Sequence, residues 1–169
     1  ISSVAAAVIA QREGLEPVMQ MTCRDRNRIA MQADLLGAAA LGVKNCLCIA
    51  GDHQSFGKAG KLNGHPGAKN VYDVDTTQLV GILRKMRDEG LQQGGDKLQV
   101  APKFHIGASW TPLGDPLGIY DVELFRSQMK KAFDLGCFEH TAMLAGIIVP
   151  KSAMMLKYMD ASVSGARPL

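Results

Sequence analysis

Two hydrophobic periods alternate along this chain. Val4, Ala7, Val8 and Leu15 recur at helical spacing behind a serine start, which predicts the end of an amphipathic helix over residues 3–15, broken at Glu16-Pro17. Residues 18–23 form a short apolar run of strand length, and residues 45–50 (NCLCIA) form a second. Between them Ile29, Ala30, Ala33, Leu36, Ala40 and Leu41 fall at helical spacing and predict a helix over 26–41, with Gly42 where it would stop. Residues 75–89 predict a helix with Leu79, Ile82, Leu83 and Met86 as its apolar face, Asp75 and Thr76 as caps and Gly90 at its end. A strand is expected over 103–109. A helix follows over 121–135, with Leu124, Met129 and Phe133 among its apolar positions and Gly136 ending it. A strand over 143–149 and a short helix over 151–159 complete the pattern.

Strands each followed by a helix, and apolar on both faces, indicate parallel β/α units with helices on the outside. The choice lies between a doubly wound open sheet and a (β/α)-barrel. No G-x-G-x-x-G follows a strand and no G-x-x-x-x-G-K-[ST] occurs, so the nucleotide-binding open sheets lose their best evidence. A complete eight-unit barrel takes about 250 residues, and only about four strands can be read in this chain of 169 residues. One further irregularity stands out. After the helix ending at Leu135-Gly136, Cys137-Phe138 reads as the first residues of a strand that never continues, which predicts a segment missing between Cys137 and Phe138. The expectation is therefore an α/β chain, residues 1–169 forming one partial β/α-barrel domain.

Composition narrows the class. Hydrophobic residues make up 47% and charged residues 21%, which is ordinary globular usage, and a net charge of +3 is too weak to argue for nucleic acid or a membrane surface. The longest apolar stretches fall far short of the roughly 20 residues a spanning helix needs. The start, Ile1-Ser2-Ser3-Val4, has no charged n-region followed by an apolar h-region and a cleavage site, so the four cysteines are expected to be reduced thiols of a cytoplasmic protein. The absence of an initiating Met is expected of sequence that starts inside a longer protein.

In β/α proteins ligands sit beyond the carboxyl ends of the strands. Here those ends carry Thr22-Cys23-Arg24-Asp25, Gly51-Asp52-His53, Trp110-Thr111-Pro112 and Val149-Pro150-Lys151-Ser152. Each has a plain structural reading beside the functional one. Thr22 can cap the next helix, Gly51-Asp52 can be a tight turn, and Trp110 can pack at the rim instead of stacking on a ring. The functional reading of Asp52 rests on its place ahead of a glycine-rich stretch, residues 51–70, which has no structural signal of its own. His53, His65, His105 and His140 lack metal-ligand spacing, so no metal site is expected. Cys46 and Cys48 share one strand face and read as small buried packing residues.

With these residues in place, the run EPVMQMTCRDRNRIAMQADLLGAAALGVKNCLCIAGDHQSFG, residues 16–57, resembles the methylenetetrahydrofolate reductases: a strand ending in Thr-Cys, a helix of small residues ending in Gly, a strand ending in Gly-Asp. KFHIGASWTPLGDP (103–116), VELFRSQMKKAFDLGC (122–137) and LAGIIVPKSAMMLKYM (144–159) follow in the family's order. The resemblance implies a (β/α)8 TIM barrel that reduces 5,10-methylenetetrahydrofolate to 5-methyltetrahydrofolate, or runs the reverse, with FAD rather than FMN as cofactor. It places Ile1 to Leu15 as the second barrel helix and the strands near 18, 45, 104 and 143 as the third, fourth, fifth and seventh. Asp52 then matches the catalytic Asp beside the flavin. Thr22, Gly51, Asp52, His53, Thr111 and Lys131 are the expected cofactor-binding positions, Lys131 by an approximate alignment.

Several positions depart from the family pattern. Ala50 stands where some members have an Arg for the FAD diphosphate, and Thr111-Pro112-Leu113 stands where some have Tyr-Pro-Glu. The general acid of the first strand and a Gln of the sixth have no counterpart, so the chain as given is expected to be catalytically incomplete. The implied partners are a folate substrate and an electron source, either NAD(P)H or an iron–sulfur or zinc partner subunit. An oligomer is expected, without nucleic acid or membrane. Two alternatives remain open at this point: a flavin-free pterin-binding methyltransferase, and a non-catalytic barrel subunit of a larger complex.

Overall fold

Helix α1 (Ser3–Arg12) starts where the Ser2 hydroxyl accepts a hydrogen bond from the Ala5 amide at 3.2 Å. It buries Ala7, with Val4 and Val8 packed beside it. Strand β1 (Val18–Thr22) follows, then α2 (Arg28–Ala40), capped by the Asn27 side chain on the Ala30 amide at 2.9 Å. The helix stops in a Schellman turn. Gly42 has φ +87°, its amide bonds the Ala39 carbonyl, and the Val43 amide bonds that of Ala38, each at 3.0 Å. Strand β2 (Asn45–Ile49) runs parallel to β1, and β3 (His105–Ala108) runs parallel to β2, in the order β1-β2-β3.

Between β2 and β3 lies α3 (Thr76–Arg84). Asp75 closes a reciprocal capping box with Gln78, its carboxylate accepting from the Gln78 amide at 2.7 Å. Past Arg84 the helix widens into one π turn, Lys85–Glu89, and ends at Gly90. The face predicted from the sequence is the buried one: Leu79, Ile82, Leu83 and Met86 are all in the core.

The register puts Met19, Cys46 and Ile106 side by side, and Gln20, Leu47 and Gly107 on the opposite face. Met19, Met21, Cys46 and Cys48 are buried in one core with Met31, Leu35, Leu79 and Leu83. On the other face Val18 and Gln20 are exposed and Leu47 and Ile49 half-buried. Among the described residues, the fully buried side chains of β1 and β2 thus all lie on the face that packs against this core. The parallel α/β architecture and the buried Cys46/Cys48 pair agree with the sequence reading.

The structure, a computed structural model, describes residues 1–54, 65, 67–110, 122–146, 149 and 151–162. The chain falls into two compact units, residues 1–56 with 63–109, and residues 57–62 with 110–169. The elements above belong to the first. In the second lie α4 (Val122–Asp134), a 3-10 turn at Cys137–Glu139 and α5 (Ala153–Ser162). Among the described residues no helix is long and apolar enough to cross a membrane.

Two expectations need correction, and one predicted helix buries residues other than those that marked it. The periodic residues of α2 do not form its buried face: Ile29, Ala30, Ala33, Ala40 and Leu41 are exposed, and Met31, Gln32, Leu35 and Ala38 are buried. This helix carries apolar side chains nearly all round, so its periodicity could not fix the face. Residues 143–146 and 149 are in no strand, although residues 143–149 have a strand's composition; a strand exists only against a hydrogen-bonding neighbour. Cys137-Phe138 opens no strand either. It forms the 3-10 turn, with Phe138 against Phe133 at a centroid distance of 6.3 Å.

Candidate functional site

Because β1 and β2 are adjacent and parallel, their carboxyl ends bring Thr22 and Gly51-Asp52-His53 together. The ladder continues one step past both strands, with the Cys23 amide on the Ile49 carbonyl and the Arg24 amide on that of Ala50, each at 3.0 Å. Gly51 leaves this ladder with φ +86°, a left-handed conformation that L side chains rarely adopt. A Cβ there would also stand 3.1 Å from Arg24 Cβ and 3.4 Å from Thr22 Cβ. Glycine is thus favoured by the left-handed turn, and a side chain there would also press on β1. The turn delivers Asp52 and His53 to solvent, both exposed.

Around this turn sits a set of groups whose mutual hydrogen bonds composition and spacing did not reveal. Arg24 donates from Nη1 to the Asp52 carbonyl at 3.0 Å and from Nε to the Asp25 carboxylate at 2.7 Å. Arg26 donates to the Thr22 hydroxyl at 3.3 Å and to Asp34 at 3.1 Å. The Tyr72 hydroxyl donates to the Gly51 carbonyl at 3.0 Å. Burial raises the Tyr72 phenol above its ordinary value; Arg24 opposes this, and the carboxylates of Asp25 and Asp52 add to it. The phenol therefore stays protonated and able to donate.

The segment that carries Tyr72 is itself tied back. The Asp25 amide donates to the Val71 carbonyl at 3.0 Å, and Arg26 bridges Tyr72 in parallel fashion. Arg28 grips Asp73 with its amide and Nε at 2.8 Å each and with Nη2 at 3.1 Å, which holds the Asp73 carboxyl down at about 2. Asn27, Arg28, Ile29 and residues 70–73 line a shallow groove beside the start of α2. The signal for these residues lay in Arg24-Asp25-Arg26-Asn27-Arg28, a dense run of charge directly behind an apolar strand.

Of the positions expected to bind cofactor, Thr22, Gly51, Asp52 and His53 thus share one rim. Thr22 is not a helix cap, since Asn27 takes that role; its hydroxyl accepts from Arg26 and donates to the Arg24 carbonyl at 3.5 Å. Lys131 is exposed on α4 in the second unit, and Thr111 lies outside the described residues. Beneath the rim, Cys23 is fully buried, and burial with the neighbouring Cys48 and Asp75 pushes its thiol up to about 11. That makes it a packing residue rather than a nucleophile.

The family model described as methylenetetrahydrofolate reductase matches residues 1–137 of the chain. No curated protein matches the sequence.

Proposed function

The chain belongs to the methylenetetrahydrofolate reductase family, and on that premise we propose that it is the flavin-binding part of a (β/α)8 barrel that interconverts 5,10-methylenetetrahydrofolate and 5-methyltetrahydrofolate. The observation that carries the reading is the coincidence of that match with one rim holding Thr22, Gly51 and Asp52 at the ends of adjacent parallel strands. The residues present suit a flavin. Leu47 and Ile49 offer half-buried apolar surface on the sheet face turned away from the core, and Thr22, Asp52 and His53 offer polar atoms at its edge. A bound FAD would supply the hydride that passes to or from the folate.

In this reading Asp52 contributes negative charge where positive charge develops on the folate as its methylene bridge opens. The same charge disfavours accumulation of an anion nearby and so favours hydride release. Thr22 binds ribityl or phosphate oxygens through a hydroxyl that Arg26 already orients. Gly51 keeps the backbone low enough for close approach. Electrons come from NAD(P)H or from an iron–sulfur or zinc partner subunit.

The test is a visible absorption spectrum of the purified full-length protein, reconstituted with FAD and then mixed anaerobically with 5-methyltetrahydrofolate. Flavin bands that bleach with the folate support the proposal. A protein that takes up no FAD overturns it and favours the flavin-free methyltransferase.

A further inference from the structure

Two consecutive carbonyls, those of Gly51 and Asp52, are each held by a side chain from a different segment: Tyr72 on the first and Arg24 on the second, both at 3.0 Å. Gly51 sits at φ +86° with no side chain of its own, and Asp52 is exposed.

The second of these holds is part of a longer chain. Asp25 is the one non-glycine residue among those described with a positive φ, at +66°, a conformation that Asp tolerates but that costs backbone energy. Its amide is fixed by the Val71 carbonyl, and its carboxylate turns back onto Arg24 Nε at 2.7 Å. The planar guanidinium then carries that orientation to Nη1 and the Asp52 carbonyl. A lysine in place of Arg24 has no fork and cannot satisfy both acceptors in one geometry.

We propose that Arg24, oriented by Asp25, is a positioning residue that fixes the Gly51–Asp52 turn and hence the site of the Asp52 carboxylate. The proposal deepens the flavin-reductase reading and rests on it for the purpose of that carboxylate. Arg24 touches neither substrate nor cofactor in this role; it acts through the backbone of Asp52.

The test compares wild type with Arg24→Met, Arg24→Lys and Asp25→Asn by amide hydrogen exchange on the flavin-free full chain, and by the reduction potential of the flavin-loaded protein. In Arg24→Met, exchange across residues 51–54 should quicken about tenfold, as expected for losing one hydrogen bond from a charged donor, while the amides of β1 and α3 keep their protection. Arg24→Lys and Asp25→Asn should fall in between. The flavin potential should move in the same rank order, which a purely structural loss spread over the unit would not produce. Unchanged exchange at 51–54, or an equal rise throughout β1 and α3, overturns the proposal. A wild type that takes up no flavin overturns the reductase reading alone, because the exchange result does not depend on the cofactor.

Discussion

Leu79 and Leu83 of α3 are fully buried, whereas Phe133 and Leu135 at the end of α4 are 71% and 80% exposed. Both helices are amphipathic, and both end at a glycine in the left-handed region, Gly90 and Gly136. What separates them is the company of strands. In the first unit α3 connects β2 to β3 and packs on both. In the second, the described residues hold α4 and α5 but no strand. A helix of a β/α unit gains its stability from apolar contact with the sheet rather than from its own propensity, so the unit is only as good as its strands. The difference also separates the cysteines: Cys23, Cys46 and Cys48 are buried in the first unit and Cys137 is exposed in the second.

The sharpest way to break this comparison is thiol labelling. At about pH 8 an alkylating reagent attacks the thiolate. Burial raises the Cys23 thiol to about 11, the hydrogen bond with Cys46 and then burial raise that of Cys48, and Cys46, whose thiol the same hydrogen bond lowers, is buried in the core out of a reagent's reach. Native protein should therefore consume one equivalent, at Cys137, and denatured protein four. Peptide mapping that finds Cys46 or Cys48 labelled as fast as Cys137 would show that the first unit opens as readily as the second.

Energetically the same contrast predicts that Leu83→Ala costs about 3 kcal/mol, since a large side chain leaves a cavity in a closed core. Phe133→Ala in α4 should cost under about 1 kcal/mol, because most of that ring is already in water. Urea denaturation of both variants checks this. Equal losses would mean that α4 is packed as tightly as α3.

How much of this was legible in the sequence depends on the element. For α3 the pattern sufficed: four apolar residues on one face, an Asp-x-x-Gln box and a terminal glycine all agree, and the structure follows them. For α2 it predicted the helix and its glycine stop but not its face, because apolar residues on several sides leave the buried stripe undetermined. For 143–149 a strand-like composition met no described neighbour to bond. At the rim, Gly51-Asp52 could be placed from its position after a strand. Arg24 could be placed at the same rim, but its hold on Asp52 and that of Tyr72 on Gly51 could not be read, since they join residues 28 and 21 positions apart along the chain, and the first arises only from the parallel register of β1 and β2.

Gly51 turns that register into a further prediction. Gly51→Ala must place a Cβ 3.1 Å from Arg24 Cβ while holding φ at +86°. The strain should cost about 1–3 kcal/mol. If the turn instead relaxes, stability is partly recovered and exchange at residues 51–54 rises. Gly42→Ala, also at a positive φ of +87°, offers the control: its nearest atom is the end of the flexible Gln11 side chain at 3.6 Å. A loss at Gly51 no larger than at Gly42 would show that closeness to β1 adds nothing beyond the left-handed backbone.

The smallest effect expected is at the Arg28–Asp73 clasp, which joins the start of α2 to the segment carrying Tyr72. Both side chains are partly exposed, so salt and water weaken the pair. Its sign is nevertheless fixed. Hydrogen bonds from Arg28 lower the Asp73 carboxyl from its ordinary 3.8 to about 2. A carboxyl that is more acidic folded than unfolded stabilises the fold above its unfolded value and loses that contribution as pH falls toward the folded one. Arg28 stays charged throughout, so only Asp73 titrates. The gap in urea midpoint between wild type and Asp73→Asn should therefore stay constant from about pH 7 to 5, narrow below about pH 4 and close near pH 2. It should also shrink in about 1 M salt. A gap that persists unchanged at pH 2 would mean that the asparagine is disfavoured for reasons of shape, and that the clasp holds the returning segment through backbone contacts rather than through charge.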